Sequence, residues 1–158
     1  MLTGVYRYPR ADGVLFGTPW EEALRTEVDR IDAHKVLAIV SGSLRAAMPL
    51  EAGLRGALGE CFAGIFHGIR AHSPRDDVAQ AAAAARVAGA DLLVAIGGGS
   101  VIDAAKVAQL CLEHEVFSAP GFDAFGGKRG ASGSCARQPP RRCPLVIGGT
   151  YIVAMPPI

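Results

Sequence analysis

The chain has 158 residues, half of them apolar and a fifth charged, with a net charge of +1 at pH 7. A single domain of this size buries roughly 70% of the surface its unfolded form exposes, so a sizeable core is expected, and neither charge-driven disorder nor a generally basic nucleic-acid binder fits. Cys61, Cys111, Cys135 and Cys143 follow no close-paired pattern, Met1 to Arg10 holds no apolar run of signal-peptide length, and no stretch reaches a membrane span; the expectation is a cytoplasmic protein with reduced thiols and no membrane partner.

In chain order, Val5 to Tyr8 and Val14 to Phe16, separated by Pro9 to Gly13, read as a short hairpin, and Thr18-Pro19 opens a helix through about Ile31. Val36 to Val40 is a continuous apolar run, as expected of a parallel strand covered on both faces, and Cys61 to Phe66 and Asp91 to Ile96 are the next two. Between them Ala46 to Glu60 and Arg75 to Ala88 have helical spacing, the second after Ser73-Pro74 and ending near Gly89. The alternation is βαβ and predicts one parallel sheet with helices on its faces.

All fifteen acidic residues lie at or before Asp123, with eleven of the sixteen Lys and Arg, so the first 123 residues carry −4 and the last 35 carry +5. Gly121 to Arg142 is rich in Gly, Ser, Pro and Arg and reads as a loop or linker, long for a compact domain. A basic RNA-binding tail is the rival reading, but no aromatic residues alternate with its arginines.

One segment carries chemistry in its spacing. The third strand runs into Gly97-Gly98-Gly99-Ser100, then Val101 to Lys106 and a helix through about Leu112. Strand, glycines and helix start together form an anion-binding arrangement: the glycines let the backbone approach a ligand, and the first helical N–H groups point at a negative charge. A diphosphate fits such a turn. The competing reading is a helix cap, since Ser100 precedes Asp103 by three residues. The motif lacks Gly-x-Gly-x-x-Gly and has no Gly-Lys-Ser/Thr, so it is neither the usual dinucleotide fingerprint nor a P-loop. Lys106 shares a helix face with Asp103 and either neutralises a phosphate or pairs with that carboxylate.

Gly97 to Lys106, GGGSVIDAAK, resembles the Gly-Gly-Gly-Ser-x-x-Asp-x-Ala-Lys signature of the iron-containing (group III) alcohol dehydrogenases, which include glycerol dehydrogenase and maleylacetate reductase. Val14 to Gly17, Val36 to Val40, His72 to Pro74 and Ala88 to Asp91 are also similar to that family's N-terminal domain, over about residues 5 to 115. Phe66 to Pro74 looks most like the maleylacetate reductases, and Asp103 more like the alcohol dehydrogenases.

The resemblance implies an α/β three-layer, parallel-sheet nucleotide-binding domain over residues 1–120, followed by a linker and incomplete terminal strand over 121–158. In it Gly97, Gly98, Gly99 and Ser100 would hold the diphosphate of NAD or NADP. Asp103 and Lys106 would lie towards the nicotinamide and substrate, and Ser41, in Ser41-Gly42-Ser43, would approach the adenosine ribose. A serine there does not repel a 2′-phosphate, so NADP is allowed. The reaction implied is hydride transfer between NAD(P)H and a small alcohol or carbonyl, polarised by a metal.

The family's helical metal domain, with one Asp and three His ligands to iron or zinc, has no counterpart. No Asp or His follows Asp123, and His34, His67, His72 and His114 lack ligand spacing. Cys135, Cys143 and His114 would make only a partial zinc site. Ile152 to Pro156 resembles the family strand that precedes Pro-Thr-Thr, yet Pro157 and Ile158 stand in place of the threonines. The expectation is therefore a shortened, metal-free dehydrogenase portion that is inactive alone and self-associates through an exposed apolar face, or is completed by a second polypeptide. The alternative is a non-catalytic nucleotide-binding or dimerising remnant.

Overall fold

The computed structural model describes residues 4–8, 11–47, 49–124, 146–147 and 151–155. Strands β1 (Gly4–Tyr8) and β2 (Ala11–Phe16) pair antiparallel as the expected hairpin and lead into α1 (Trp20–Ile31). Then follow β3 (Val36–Val40), α2 (Gly42–Ala47), α3 (Leu50–Leu58), β4 (Phe62–Phe66), α4 (Arg75–Ala88), β5 (Leu92–Gly97) and α5 (Gly99–Glu113). Two later strands, β6 (Val146–Ile147) and β7 (Tyr151–Met155), complete the elements.

The main sheet has the order β4-β3-β5-β7, with β4, β3 and β5 parallel and β7 antiparallel on β5. The three parallel strands are those expected; the terminal strand joins in the opposite direction. A second sheet, β1-β2-β6, sets β6 parallel to β2.

Alternation within β3 and β5 explains their unbroken apolar sequences. Val36, Ala38, Val40, Leu92, Val94 and Ile96 belong to one core with Leu24, Val28, Leu54 and Leu58 of α1 and α3. Leu37, Ile39, Leu93 and Ala95 belong to another, with alanines of α4 and α5. Each large aliphatic side chain so buried contributes about 1.5–3 kcal/mol. On the second face Ala79, Ala82, Ala85, Ala104, Ala105 and Ala108 let the helices lie close, and Cys111 is fully buried among them. That burial pushes the Cys111 thiol pKa up.

Several boundaries differ from the sequence reading for identifiable reasons. The single helix expected over Ala46–Glu60 is two: Pro49, which cannot donate a backbone hydrogen bond, precedes α3, and α2 begins earlier, at Gly42. Cys61 ends a 3₁₀ turn, so β4 starts at Phe62. Ala119–Ala124 is a 3₁₀ turn at the start of the expected Gly121–Arg142 loop, and residues 125–142 of that loop lie outside the described residues. Cys135 and Cys143 also lie outside them. Among the described residues no helix is long and apolar enough to cross a membrane.

The starts of β3 and β5 are tied by one carboxylate. Asp91 accepts the backbone N–H of His34 at 2.9 Å and of Lys35 at 2.8 Å. The adjoining ladder pairs Val36 with Leu92. Asp91→Ala removes both acceptors and is expected to destabilise the domain by about 1–3 kcal/mol, read as a lower urea midpoint with an unchanged denaturant slope.

Candidate functional site

The chain order of the parallel strands creates a crevice. From β3 the chain crosses to β4 on one side and then to β5 on the other, so the connections diverge at the carboxyl ends of β3 and β5. In open α/β sheets ligands bind at this point. Here a cleft of about 380 Å³ is lined by Ser41, Gly42 and Ser43 after β3, Ile69 to Ala71 after β4, and Gly98 to Val101 after β5.

Each wall has a local cause. Ser41 bridges the strands through its N–H, which donates to the Ile96 carbonyl at 3.0 Å, and its carbonyl accepts Arg45 N–H at 3.1 Å as α2 begins. Gly97, at φ +157°, lies where a Cβ would come within 3.0 Å of both Ser41 Cβ and Val101 Cγ2. The crevice floor therefore requires glycine. Cβ atoms built at Gly42, Gly98 and Gly99 meet nothing within 4 Å, so each would project into open space. Gly99 and Ser100 begin a 15-residue helix, and the first N–H groups of a helix have no intrahelical acceptor.

The structure brings Ser41, Gly98, Gly99 and Ser100 together around one cleft, with Gly97 beneath them. Asp103 and Lys106 are exposed on α5, do not line the cleft, and pair with each other at 3.6 Å. At 1.5 Å per residue they stand roughly 6 and 10 Å along the helix from Gly99. The capping alternative for Ser100 does not hold: α5 has Gly98 as its N-cap residue and no side-chain cap hydrogen bond. Ser100 Oγ accepts His72 N–H at 3.2 Å instead.

The wall contributed by Ile69, Arg70 and Ala71 was not foreseen as part of the site. The signal was topological: a loop at the carboxyl end of the strand beside β3 belongs to the rim of the same crevice. Arg70 is held there by Asp77, which is 5% exposed and accepts Arg70 N–H at 2.9 Å and Nη2 at 2.8 Å. The hydrogen-bonded Arg70 guanidinium holds the Asp77 carboxyl below its ordinary pKa, against the opposing effect of burial.

Because the folded pKa of Asp77 is depressed, its stabilisation is fully present above the unfolded carboxyl value and is lost as pH falls through the folded one. Asp77→Asn is therefore expected to lower Tm by an amount that is constant from pH 7 to about pH 5 and shrinks on further acidification. Parallel thermal melts of the two proteins from pH 7 to pH 2 measure this.

Residues 11–148 match the family described as iron-containing alcohol dehydrogenase. A maleylacetate reductase of Cupriavidus pinatubonensis is 42% identical over 101 residues, which are 64% of this chain and 27% of that protein. The crystal structure of the Agrobacterium tumefaciens maleylacetate reductase superposes with a TM-score of 0.58 at 28% identity, over 72% of this chain and 31% of the other. A sulfoacetaldehyde reductase from Bifidobacterium kashiwanohense, solved in complex with NAD+, shares the fold with a TM-score of 0.64 at 18% identity, over 93% of this chain and 35% of the other. The chain thus spans about a quarter to a third of the length of these relatives.

Proposed function

This chain belongs to the iron-containing alcohol dehydrogenase family, and we propose that it forms the dinucleotide-binding part of an NAD- or NADP-dependent oxidoreductase acting on a small alcohol or carbonyl. The observation that carries the reading is the cleft at the β3/β5 divergence, where Ser41 meets a glycine turn whose backbone is open to solvent.

The residues present fit the diphosphate of such a cofactor. Space that side chains would fill at Gly98 and Gly99 is left open, and Gly99 and Ser100, in the first turn of α5 where N–H groups have no intrahelical acceptor, line the cleft at the positive end of the helix. The helix end contributes about 0.3–1 kcal/mol, so several hydrogen bonds must share the work of binding an anion. When bound, the nicotinamide supplies or accepts the hydride. Ser41 would meet the adenosine ribose. Among the described residues no Asp or Glu lines the cleft, whereas Arg70 does, which leaves room for a 2′-phosphate.

The family's metal is a different matter. Among the described residues no three His, Cys, Asp or Glu side chains come together to hold an ion. These residues do not fit a metal centre. Binding of the dinucleotide is the part of the reaction that falls to this chain, and self-association through an exposed apolar face is proposed beside it. Val87 and Leu110 are the large hydrophobic residues exposed among those described.

Isothermal titration with NAD and NADP tests the reading. Wild type is expected to bind at least one of them, and Gly98→Val to weaken it by at least about tenfold by filling the space the backbone leaves for the ligand. Equal affinity in both proteins, or no binding by either, would refute it.

A further inference from the structure

Between β4 and α4, two successive residues that are not glycine stand in the left-handed region: His72 at φ 63° and Ser73 at φ 48°. That conformation is unfavourable for both and persists only where surrounding contacts impose it. One end of the turn is fixed by Asp77, which accepts the N–H of Arg70, and Ser73 N–H closes the turn on the Arg70 carbonyl at 3.2 Å. The other end reaches across to α5. His72 N–H donates to Ser100 Oγ at 3.2 Å, and Ser73 Oγ donates to the Ser100 carbonyl at 2.6 Å.

These two bonds decide what Ser100 can offer. A serine hydroxyl has one hydrogen to donate and two lone pairs. In the first turn of a helix it can turn back on the backbone, as serines at helix starts commonly do. Here its oxygen is occupied by an N–H from another segment, and its carbonyl is pinned by Ser73. The O–H remains as a donor on a residue that lines the cleft beside Gly98 and Gly99. A donor joined to first-turn N–H groups suits an anionic oxygen.

We infer that Ser73 is a positioning residue for the diphosphate of the proposed dinucleotide, holding Ser100 so that its hydroxyl donates into the cleft. The inference rests on the proposed function and adds to it the residue that orients the anion-binding turn. Ser73 itself is not a cleft-lining residue; it acts through Ser100.

The test uses the full chain, titrated with NAD and NADP by calorimetry, with ³¹P spectra of the bound diphosphate and thermal melts in parallel. Ser73→Gly removes the hydroxyl while suiting the positive φ, so the fold is kept. It is expected to weaken dinucleotide binding about tenfold, the loss of one hydrogen bond to a charged group, and to shift the ³¹P resonances. Ser73→Asn, which tolerates the left-handed region and restores a donor, is expected to recover most of the affinity. Ser100→Ala removes the hydroxyl itself, together with the acceptor of His72 N–H, and should show a similar loss even if Ser73→Gly folds poorly. Unchanged affinity and unshifted ³¹P resonances in Ser73→Gly or Ser100→Ala would overturn the inference and leave the proposed function standing. A lowered Tm with unshifted resonances would likewise reduce Ser73 to a turn residue. Wild type that binds neither dinucleotide would remove both readings together.

Discussion

Burial of β3 and β5 on both faces is the constraint from which the rest of the molecule follows. Every residue of Val36–Val40 and Leu92–Gly97 is buried, and successive aliphatic side chains pack against opposite helical layers. None of these positions can present a polar group to a ligand without unpicking one core or the other. Polar groups open to a ligand are therefore displaced to the first residues beyond the strands, where the side chains are small and the backbone supplies polar atoms. Ser41 and Gly98 to Ser100 occupy those places.

The same constraint governs how the rim is held. The rim is tied to the strand beneath it through Ser41, which donates to the Ile96 carbonyl, and otherwise takes its order from side chains that accept backbone N–H groups. Asp91 does this at the amino ends of the strands, for His34 and Lys35, and Asp77 does it at the carboxyl end, for Arg70. The two carboxylates differ in surroundings. Asp77 is almost fully buried and faces a guanidinium, whereas the side chain of Asp91 is about a third exposed, beside His34. Framework and site are thus fixed by one type of bond used at opposite ends of the sheet.

Much of this was legible in the sequence because burial writes directly into composition. The runs at Val36 and Leu92 have the length and β-branched content of covered strands, and the abrupt change from Ile96 to three glycines marked where the glycine turn of the cleft begins. The first crossover was harder to read. Apolar spacing runs through Pro49 without a break, and the division between α2 and α3 falls beside this proline, which lacks an N–H and whose ring crowds a preceding helical turn. The direction of β7 has no signature in its five residues, since antiparallel and parallel strands draw on the same apolar types. The contacts at Ser100 were illegible for a related reason. Ser100 and Asp103 have the spacing of a helix cap, and what redirects the hydroxyl is a pair of residues 27 and 28 positions earlier.

Cys111 gives this architecture a chemical handle. Its thiol sits in the alanine-lined layer where α4, α5 and the sheet meet, with no exposed surface and a thiolate that burial disfavours. An alkylating reagent can reach it only when α5 lifts from its neighbours, and α5 is the helix whose first turn forms the glycine wall of the cleft. The rate of Cys111 alkylation is consequently a clock for the breathing of that helix. A ligand that grips the amino end of α5 would slow the clock at a point some 18 Å down the helix, so occupancy of the cleft could be followed by mass spectrometry without any reaction being catalysed.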